Sequence, residues 1–339
     1  MEVAPGVYRL PVTLYAPPVV FDHRSTANIY LLRGRDGCML IDSGWDTESA
    51  RSALERQFAE LGLGLRDISQ IIYTHLHPDH FGMSGWFKEF GVVRQAAHPI
   101  EIEYVRNRYF LGDEVLWQQE GQWCQRHGVP PEHAADLQQI ALDIHHLVRL
   151  QVPEMTLEVG DTIEFAPFQL KVLGTPGHSP GHVCFYEPRM KLLFCGDHIT
   201  NSVSPHIPFY SYYGDDVNPL GWYLDSLKSL DGLDATLVMP AHGREFGGLQ
   251  RRIKQIGPRL ERMQEQVLET LEGQTLTAFE VIMHQTRRAD WSDIPPIQKR
   301  GLLVETVTRL RALKLDGRVE SVLNDGVESF RRTDREAAP

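Results

Sequence analysis

Residues 68–80 read Ile-Ser-Gln-Ile-Ile-Tyr-Thr-His-Leu-His-Pro-Asp-His. The first seven have the β-branched, apolar character of a short buried strand, and a helix is predicted over Gly82–Phe90. Three imidazoles and a carboxylate therefore fall where a strand ends and a helix begins. Neutral nitrogen with hard oxygen donors is the mixture that suits zinc. His75 and His77, two apart, project together from a strand end, while Asp79 and His80 turn into the loop and can reach a second ion. A chance cluster of surface histidines is the bland alternative. A chain with 15 histidines in 339 residues produces this pattern by accident roughly once in several hundred cases.

Three further candidates stand far along the chain, each after an apolar run and among Gly or Pro. His178 lies in Gly174-Thr175-Pro176-Gly177-His178, Asp197 in Phe194-Cys195-Gly196-Asp197-His198, and His242 in Met239-Pro240-Ala241-His242-Gly243. The backbone turns sharply at such places and exposes one side chain. A single histidine at a strand end is ordinarily a loop residue. The four motifs in this order are what point to a metal centre.

Outward from the motifs, strands alternate with helices, which predicts a sheet with helices packed on it. Asn28–Leu32 and Cys38–Ile41 flank Gly34 and Gly37 as a hairpin, and Ala50, Leu54, Phe58 and Leu61 give Thr47–Leu61 one apolar helical face. Val92-Val93 reads as a strand. Residues 98–153 break the rhythm with Glu, Gln, Arg and aromatics at helical spacing and read as two or three inserted helices. Strands resume at Met155–Val159, Thr162–Phe165, Gln169–Leu173, His182–Tyr186 and Lys191–Phe194. Helix Pro219–Leu230 and strand Thr236–Met239 close a catalytic domain over 1–248. Beyond it, helices are predicted over Arg259–Leu271, Ala278–Thr286 (capped by Thr277) and Lys299–Leu315, then a hairpin turning at Asn324-Asp325-Gly326. Three helices and a hairpin suggest a small winged-helix-like domain over 258–333.

Composition narrows the function classes. No run approaches about 18 apolar residues, and the first residues lack a secretory pattern, so no membrane span or signal is expected. Four cysteines without close Cys-x-x-Cys spacing suit free thiols in the reducing cytoplasm. The net charge is −11; the first 257 residues carry 31 acids against 21 bases, the rest 14 against 13. That distribution argues against a broad nucleic-acid surface, and Arg251-Arg252, Arg287-Arg288 and Arg331-Arg332 are too scattered to form a track.

With His75–His80, Gly177-His178, Gly196-Asp197 and Ala241-His242-Gly243 in order, residues 3–248 resemble the metallo-β-lactamase superfamily, of the glyoxalase II-like type. The resemblance implies an α/β chain folded as an αββα sandwich, here with a helical insertion at 98–153 and the small C-terminal winged-helix-like domain. Carried over residue by residue, it implies that His75, His77 and His178 hold a first metal, that Asp79, His80 and His242 hold a second, and that Asp197 bridges both. It further implies two Zn2+ ions about 3.5–4 Å apart whose shared water ionises near neutral pH. Iron or manganese stays open. Asp79 and Asp197 are the expected catalytic carboxylates, Asp79 orienting the hydroxide or moving its proton. The insertion and tail are similar, in architecture only, to a subgroup that includes the human lactamase-β-like ribonuclease.

Asp42, at the end of strand Cys38–Ile41, is a candidate acceptor for an imidazole N–H, and His182 is another. A turn cap and strand-end packing are their respective alternatives. His198 and His206 read as loop histidines. The aromatic loop Ser204–Tyr213 offers a phenol to an oxyanion. Tyr104, Tyr109, Phe110, Trp117 and Trp123 either wall a pocket or pack the insertion. The expected activity is hydrolysis of a small ester, thioester or lactone by a metal-bridging hydroxide. The tail does not look like the glutathione-binding domain of glyoxalase II, so a glutathione substrate is not implied. A metal-dependent ribonuclease and a metabolite-binding regulatory protein are the alternatives. Weak β-lactamase side activity and a homodimer through the insertion or tail stay open. The expected partner is a small-molecule substrate rather than nucleic acid or a membrane.

Overall fold

The computed structural model describes residues 1–13, 26–92, 94–201, 204–214, 217–286 and 291–333. Val93 and the Arg287-Arg288 pair lie outside them. Among the described residues, two sheets lie face to face. The first runs, in spatial order, β1 (Glu2–Ala4), β2 (Val7–Thr13), β3 (Thr26–Arg33), β4 (Cys38–Ile41), β5 (Ile68–Ile72), β6 (Gln95–Ala97) and β7 (Met155–Thr156). It is antiparallel from β1 to β4 and parallel from β4 to β7. The second runs β12 (Leu237–Pro240), β11 (Leu192–Gly196), β10 (Val183–Glu187), β9 (Phe168–Gly174) and β8 (Thr162–Phe165), with β11 and β12 parallel.

The two-residue strand period sorts side chains between layers. Tyr30, Leu32, Met39, Ile41 and Ile72 face inward against Phe168, Val172, Phe185 and Phe194 of the second sheet. Their neighbours Ile29, Leu31, Leu40 and Ile71 face outward, under α1 (Glu48–Glu60), α2 (Pro78–Phe81), α3 (Ser84–Glu89) and α4 (Pro99–Tyr109). In the second sheet Cys184, Leu193, Cys195 and Val238 face α7 (Pro219–Ser229) and α8 (Leu249–Thr270). Helix, sheet, sheet and helix thus form the expected αββα sandwich. In α1, Thr47 Oγ1 accepts from the Ala50 N–H, and Ala50, Leu54 and Phe58, four apart, are the buried residues.

Several boundaries differ from the sequence reading. The strand expected at Val92-Val93 is β6, starting at Gln95, and the helix expected over Gly82–Phe90 is α3, preceded by the short α2 that the sequence reading did not include. The insertion is three helices, α4, α5 (Asp113–Arg126) and α6 (Pro131–His145). Helix Arg259–Leu271 begins ten residues earlier as α8 and passes through Pro258. An interior proline costs about 3 kcal/mol, and here Leu249, Ile256 and Leu260, buried on both sides of it, offset the loss. The tail continues with β13 (Thr275–Thr277), α9 (Ala278–Thr286), α10 (Pro296–Leu315), β14 (Val319–Asn324) and β15 (Val327–Arg332), the strands ordered β13-β15-β14. Thr277 caps α9 as expected and does so reciprocally: Glu280 N–H donates to Thr277 Oγ1, and Thr277 N–H donates to the Glu280 carboxylate.

Tail and insertion share one core. Trp123, Cys124 and Leu137 of the insertion pack with Val267, Leu271, Ile282, Val307 and Phe330 of the tail. Glu328 of β15 ties the same elements by charge. Its carboxylate meets Lys314 Nζ at 3.0 Å, accepts from Ser321 Oγ at 2.8 Å, and lies 3.3 Å from Arg126 Nε. Burial opposes its ionisation, but the Lys314 and Ser321 hydrogen bonds win and hold it down at about 2, against an ordinary 4.5. Its contribution is therefore complete above about pH 5 and is lost as pH falls toward about 2. The Tm gap between wild type and Glu328→Gln should be widest near neutrality and narrow below pH 4.5 in a thermal scan; a gap independent of pH would remove the charge from the account.

Candidate metal centre

Every candidate ligand leaves the sandwich at one end, from the strand exits. His75 and His77 follow β5, with His77 the residue before α2 and Pro78 opening that helix. His178, Asp197 and His242 follow β9, β11 and β12. Backbone hydrogen bonds pin these exits together, within the second sheet and across to the first. Val183 N–H donates to Thr74 C=O, Ala241 N–H to Gly196 C=O, and Asn28 N–H to Ala241 C=O, at 2.7–2.9 Å. Gly196 has φ +48, and a Cβ there would lie 2.7 Å from both Thr74 Oγ1 and His182 Nε2, so only glycine lets Asp197 approach the other sheet. The buried carboxylate of Glu101, from α4, accepts the N–H groups of Leu76 and Gly181 and locks the two histidine loops together.

All seven sequence candidates converge. His75 Nε2, His77 Nδ1 and His178 Nε2 are 2.9–3.1 Å apart. The far side of two rings settles what these nitrogens carry. His178 Nδ1 donates to His206 C=O at 2.7 Å, and His75 Nδ1 donates to Thr74 Oγ1, whose own proton goes to Asp42. Their Nε2 atoms are left with lone pairs pointing at one another. Lone pairs crowded this way repel unless a cation sits between them, and a tetrahedral zinc with bonds of about 2.0–2.1 Å needs its nitrogens about 3.3 Å apart.

The second group is Asp79, His80, Asp197 and His242. His80 Nδ1 donates to Asp42 Oδ2 at 2.8 Å and His242 Nδ1 to Thr26 C=O at 2.9 Å, so their Nε2 atoms also turn inward. His242 Nε2 is 3.1 Å from Asp79 Oδ2 and 3.3 Å from Asp197 Oδ1; His80 Nε2 is 3.5 Å from Asp197 Oδ1. The other oxygen of Asp197, Oδ2, is 3.5 Å from His178 Nε2 in the first group. His80 Nε2 and Asp197 Oδ1 are buried without a hydrogen-bond partner. Orphaned polar atoms of this kind call for an ion.

Electrostatics separates the two groups. Burial pushes His75, His77 and His178 down, His178 to about 4, so all three are neutral and free to coordinate. Burial also acts on His80 and His242, but the carboxylates prevail: Asp79, Asp42 and Asp197 raise His80, and Asp197 and Asp79 raise His242 to about 10. Asp79 and Asp197 are in turn held below the ordinary carboxylate range by these histidines, against burial.

The supporting residues were partly foreseen. Asp42, held at φ +65, accepts from His80 and from the Thr74 backbone and hydroxyl, which makes it the anchor of both groups. His182 supports Asp197 rather than an imidazole: its Nε2 accepts the Asp197 N–H at 3.3 Å, and Nδ1 faces Thr175 Oγ1. Asp42→Asn places an N–H against the His80 N–H and should weaken metal binding about 10- to 100-fold. Chelator competition measures this, and unchanged affinity would reduce Asp42 to a turn residue.

The floor of a cavity of about 480 Å3 is formed by His77, Asp79, His178, Asp197 and His242. That size suits a small-molecule site. The walls decide between the two readings of the insertion aromatics in favour of packing. Tyr104 and Tyr109 line a separate small cleft, Phe110 is 66% exposed, Trp123 is core and Trp117 is half-buried away from the cavity. The insertion instead contributes Arg108 and Ile144, the aromatic loop contributes Tyr210 and His206, and the tail contributes Ile297, Arg300, Leu302 and Glu305 from α10. His206 reaches the tail through Glu305, 2.6 Å from its Nδ1. No sequence signal placed α10 over the site; only packing does.

The profile of the metallo-beta-lactamase superfamily matches residues 24–242. The chain is 27% identical to the probable metallo-hydrolase YqjP of Bacillus subtilis (strain 168) over 256 residues, 75% of this chain and 78% of that one. It is 28% identical to acyl-coenzyme A thioesterase MBLAC2 of Homo sapiens over 235 residues, 67% and 76% of the two chains. A metallo-beta-lactamase family protein of Thermus thermophilus superposes with a TM-score of 0.82 at 30% identity, covering 98% of this chain and 100% of that one. A beta-lactamase domain protein of Burkholderia ambifaria gives 0.83 at 26%, covering 98% and 94%. Both structural matches extend over insertion and tail as well as the sandwich. Since the profile alone spans well over half the sequence and the fold agrees along the whole of it, the chain belongs to the metallo-beta-lactamase superfamily and is a metal-dependent hydrolase.

Proposed function

We propose that the protein is a binuclear zinc hydrolase of a small ester, thioester or lactone, with thioesters foremost. The observation that carries this reading is Asp197, which presents one oxygen to each group of inward-facing histidine nitrogens at the floor of the cavity. The thioesterase activity named for the human relative favours the thioester. When bound, the metal supplies a Lewis acid and an ionised water at neutral pH. Asp79, on the cavity floor and held ionised, takes the proton that the attacking water gives up. Tyr210, whose phenol burial pushes up to about 12, stays protonated and donates toward the oxygen on which charge develops. Trp45, Ile144, Ile297 and Leu302 hold the acyl part and exclude water.

The tail's three helices and three-stranded sheet support a winged-helix-like reading of 258–333, with α10 turned to the cavity and core. Eleven of its residues are buried, which leaves little of that helix for a nucleic-acid groove. Four buried free cysteines suit a reducing cytoplasmic setting, and no helix among the described residues is long and apolar enough to cross a membrane. The test is elemental analysis of protein purified without added metal, with a panel of thioesters, lactones, β-lactams and RNA. About two zincs per chain with thioester or lactone turnover is the expected result. One iron per chain, or cleavage of RNA alone, overturns the proposal.

A further inference from the structure

Two cationic side chains from the helices line the cavity, and they are not alike. Arg300 is spent: its guanidinium forks onto Glu120. Arg108, on α4, is buried at 6% exposure, and no carboxylate among the described residues lies within ion-pair distance of it. Its hydrogen bond is from Nη1 to the Tyr212 hydroxyl at 3.0 Å. Aromatic faces surround the rest, with the guanidinium carbon 5.2, 5.6 and 5.2 Å from the ring centroids of Tyr109, Tyr210 and Tyr212. Glu120 does not pair with it directly: both carboxylate oxygens are taken by Arg300 and one also by Ser211, so its charge reaches Arg108 only at longer range.

A buried guanidinium without an anion is costly, and such a charge is retained where a ligand completes it. Rings hold the cation in place without neutralising it. Apart from the Nη1 bond to Tyr212, its N–H groups have no hydrogen bond among the described residues; Arg108 lines the cavity whose floor is the candidate metal centre, and the Tyr210 ring lies 5.6 Å from both its guanidinium carbon and the His77 ring. One unpaired positive charge matches one negative charge, and the planar fork matches a carboxylate.

We propose that Arg108 is the receptor for a carboxylate carried on the acyl part of the substrate, so that the enzyme prefers esters or thioesters of acids bearing a second carboxylate. This rests on the hydrolase reading above. The anion sits a few ångströms from the scissile carbonyl, close enough that substrate and counter-ion are one molecule. Arg108 is thus a specificity residue: it fixes which acyl group is held, and through the Tyr210 ring it keeps that group beside the reacting bond.

The test compares succinyl and butyryl thioesters of N-acetylcysteamine, matched in chain length, on wild type, Arg108→Gln and Arg108→Lys. Wild type should favour the succinyl thioester in kcat/KM by about 10- to 100-fold, the range of a charge-assisted hydrogen bond. Arg108→Gln should lose that preference chiefly through KM, the succinyl thioester losing about 10-fold or more in kcat/KM beyond whatever the butyryl thioester loses; Arg108→Lys should keep part of it. Binding of succinate against butyrate is measured by calorimetry on the same proteins as purified. Arg108-dependent succinate binding without turnover of either thioester would sink the hydrolase reading and leave the anion site standing. Turnover without charge preference, or equal losses on both substrates, overturns the anion site alone. If Arg108→Gln does not fold, the wild-type preference and the Arg108→Lys profile decide.

Discussion

Asp197→Ala is expected to lose metal and hydrolysis together, with kcat/KM falling by about a thousandfold or more. The removed carboxylate is the group that touches both sets of nitrogens, Oδ1 toward His80 and His242, and Oδ2 toward His178. Loss of Lewis-acid stabilisation is worth several kcal/mol, and each 1.36 kcal/mol is a factor of ten. The fold should survive. Asp197 follows Gly196, its backbone N–H still reaches His182, and its removal relieves the repulsion between two carboxylates that both approach His242 Nε2. Circular dichroism should therefore be unchanged while metal content drops. His178→Ala is the comparison: it removes one nitrogen from the first group and leaves Asp79, His80, Asp197 and His242 in place, so it should retain part of the metal. Full turnover in Asp197→Ala protein would refute the bridging role.

Which parts of this centre were legible follows from how local each signal is. The histidine motif and the three distant exits could be read because each couples an apolar strand to a turn within about five residues. The strands were legible because their period is local too: Cys38-Met39-Leu40-Ile41 alternates between the outer and inner cores residue by residue. Asp42 was readable as an acceptor from its place at a strand end. Thr74 and Glu101 were not: a threonine beside a histidine is ordinary until Asp42, distant in sequence, takes its hydroxyl proton, and a glutamate inside a helix is ordinary until tertiary packing brings it to a histidine loop. The packing of the tail was out of reach for the same reason. Its helices carry apolar faces that say they pack against something. That the partner is the insertion, with α10 walling the cavity, is set by contacts between residues far apart in the chain, such as Phe209 N–H with Val304 C=O, bringing the aromatic loop onto α10, and Glu120 with Arg300. Pro258 and Gly257 look like a boundary in sequence, yet α8 continues through them because its buried face is anchored on both sides.

The Glu120–Arg300 pair carries the second large expectation. It joins α5 of the insertion to α10 of the tail; Glu120 is 1% exposed and Arg300 5%. Two guanidinium nitrogens meet the two carboxylate oxygens, and Ser211 Oγ donates to Oε1 at 2.6 Å, so the charge is paired and hydrogen-bonded on both sides. Burial opposes the charged carboxyl, and Arg300 holds it below its ordinary range regardless. Glu120→Ala should destabilise the protein by about 3–5 kcal/mol, chiefly because it strands a buried guanidinium within 5.6 Å of the Tyr210 ring and beside the already unpaired Arg108. Replacing both partners with apolar residues of similar size, Glu120→Leu with Arg300→Met, removes the stranded charge as well as the attraction and should recover most of the loss. Urea unfolding followed by fluorescence reads the difference, since Trp123 and Trp291 both lie in the core these helices share. The recovery separates two accounts of the pair. If the double variant is as unstable as Glu120→Ala, attraction between insertion and tail is what holds α10 over the cavity. If it recovers, the apolar core holds α10, and the ion pair serves to neutralise Arg300 and leave Arg108 as the cavity's unmatched cation.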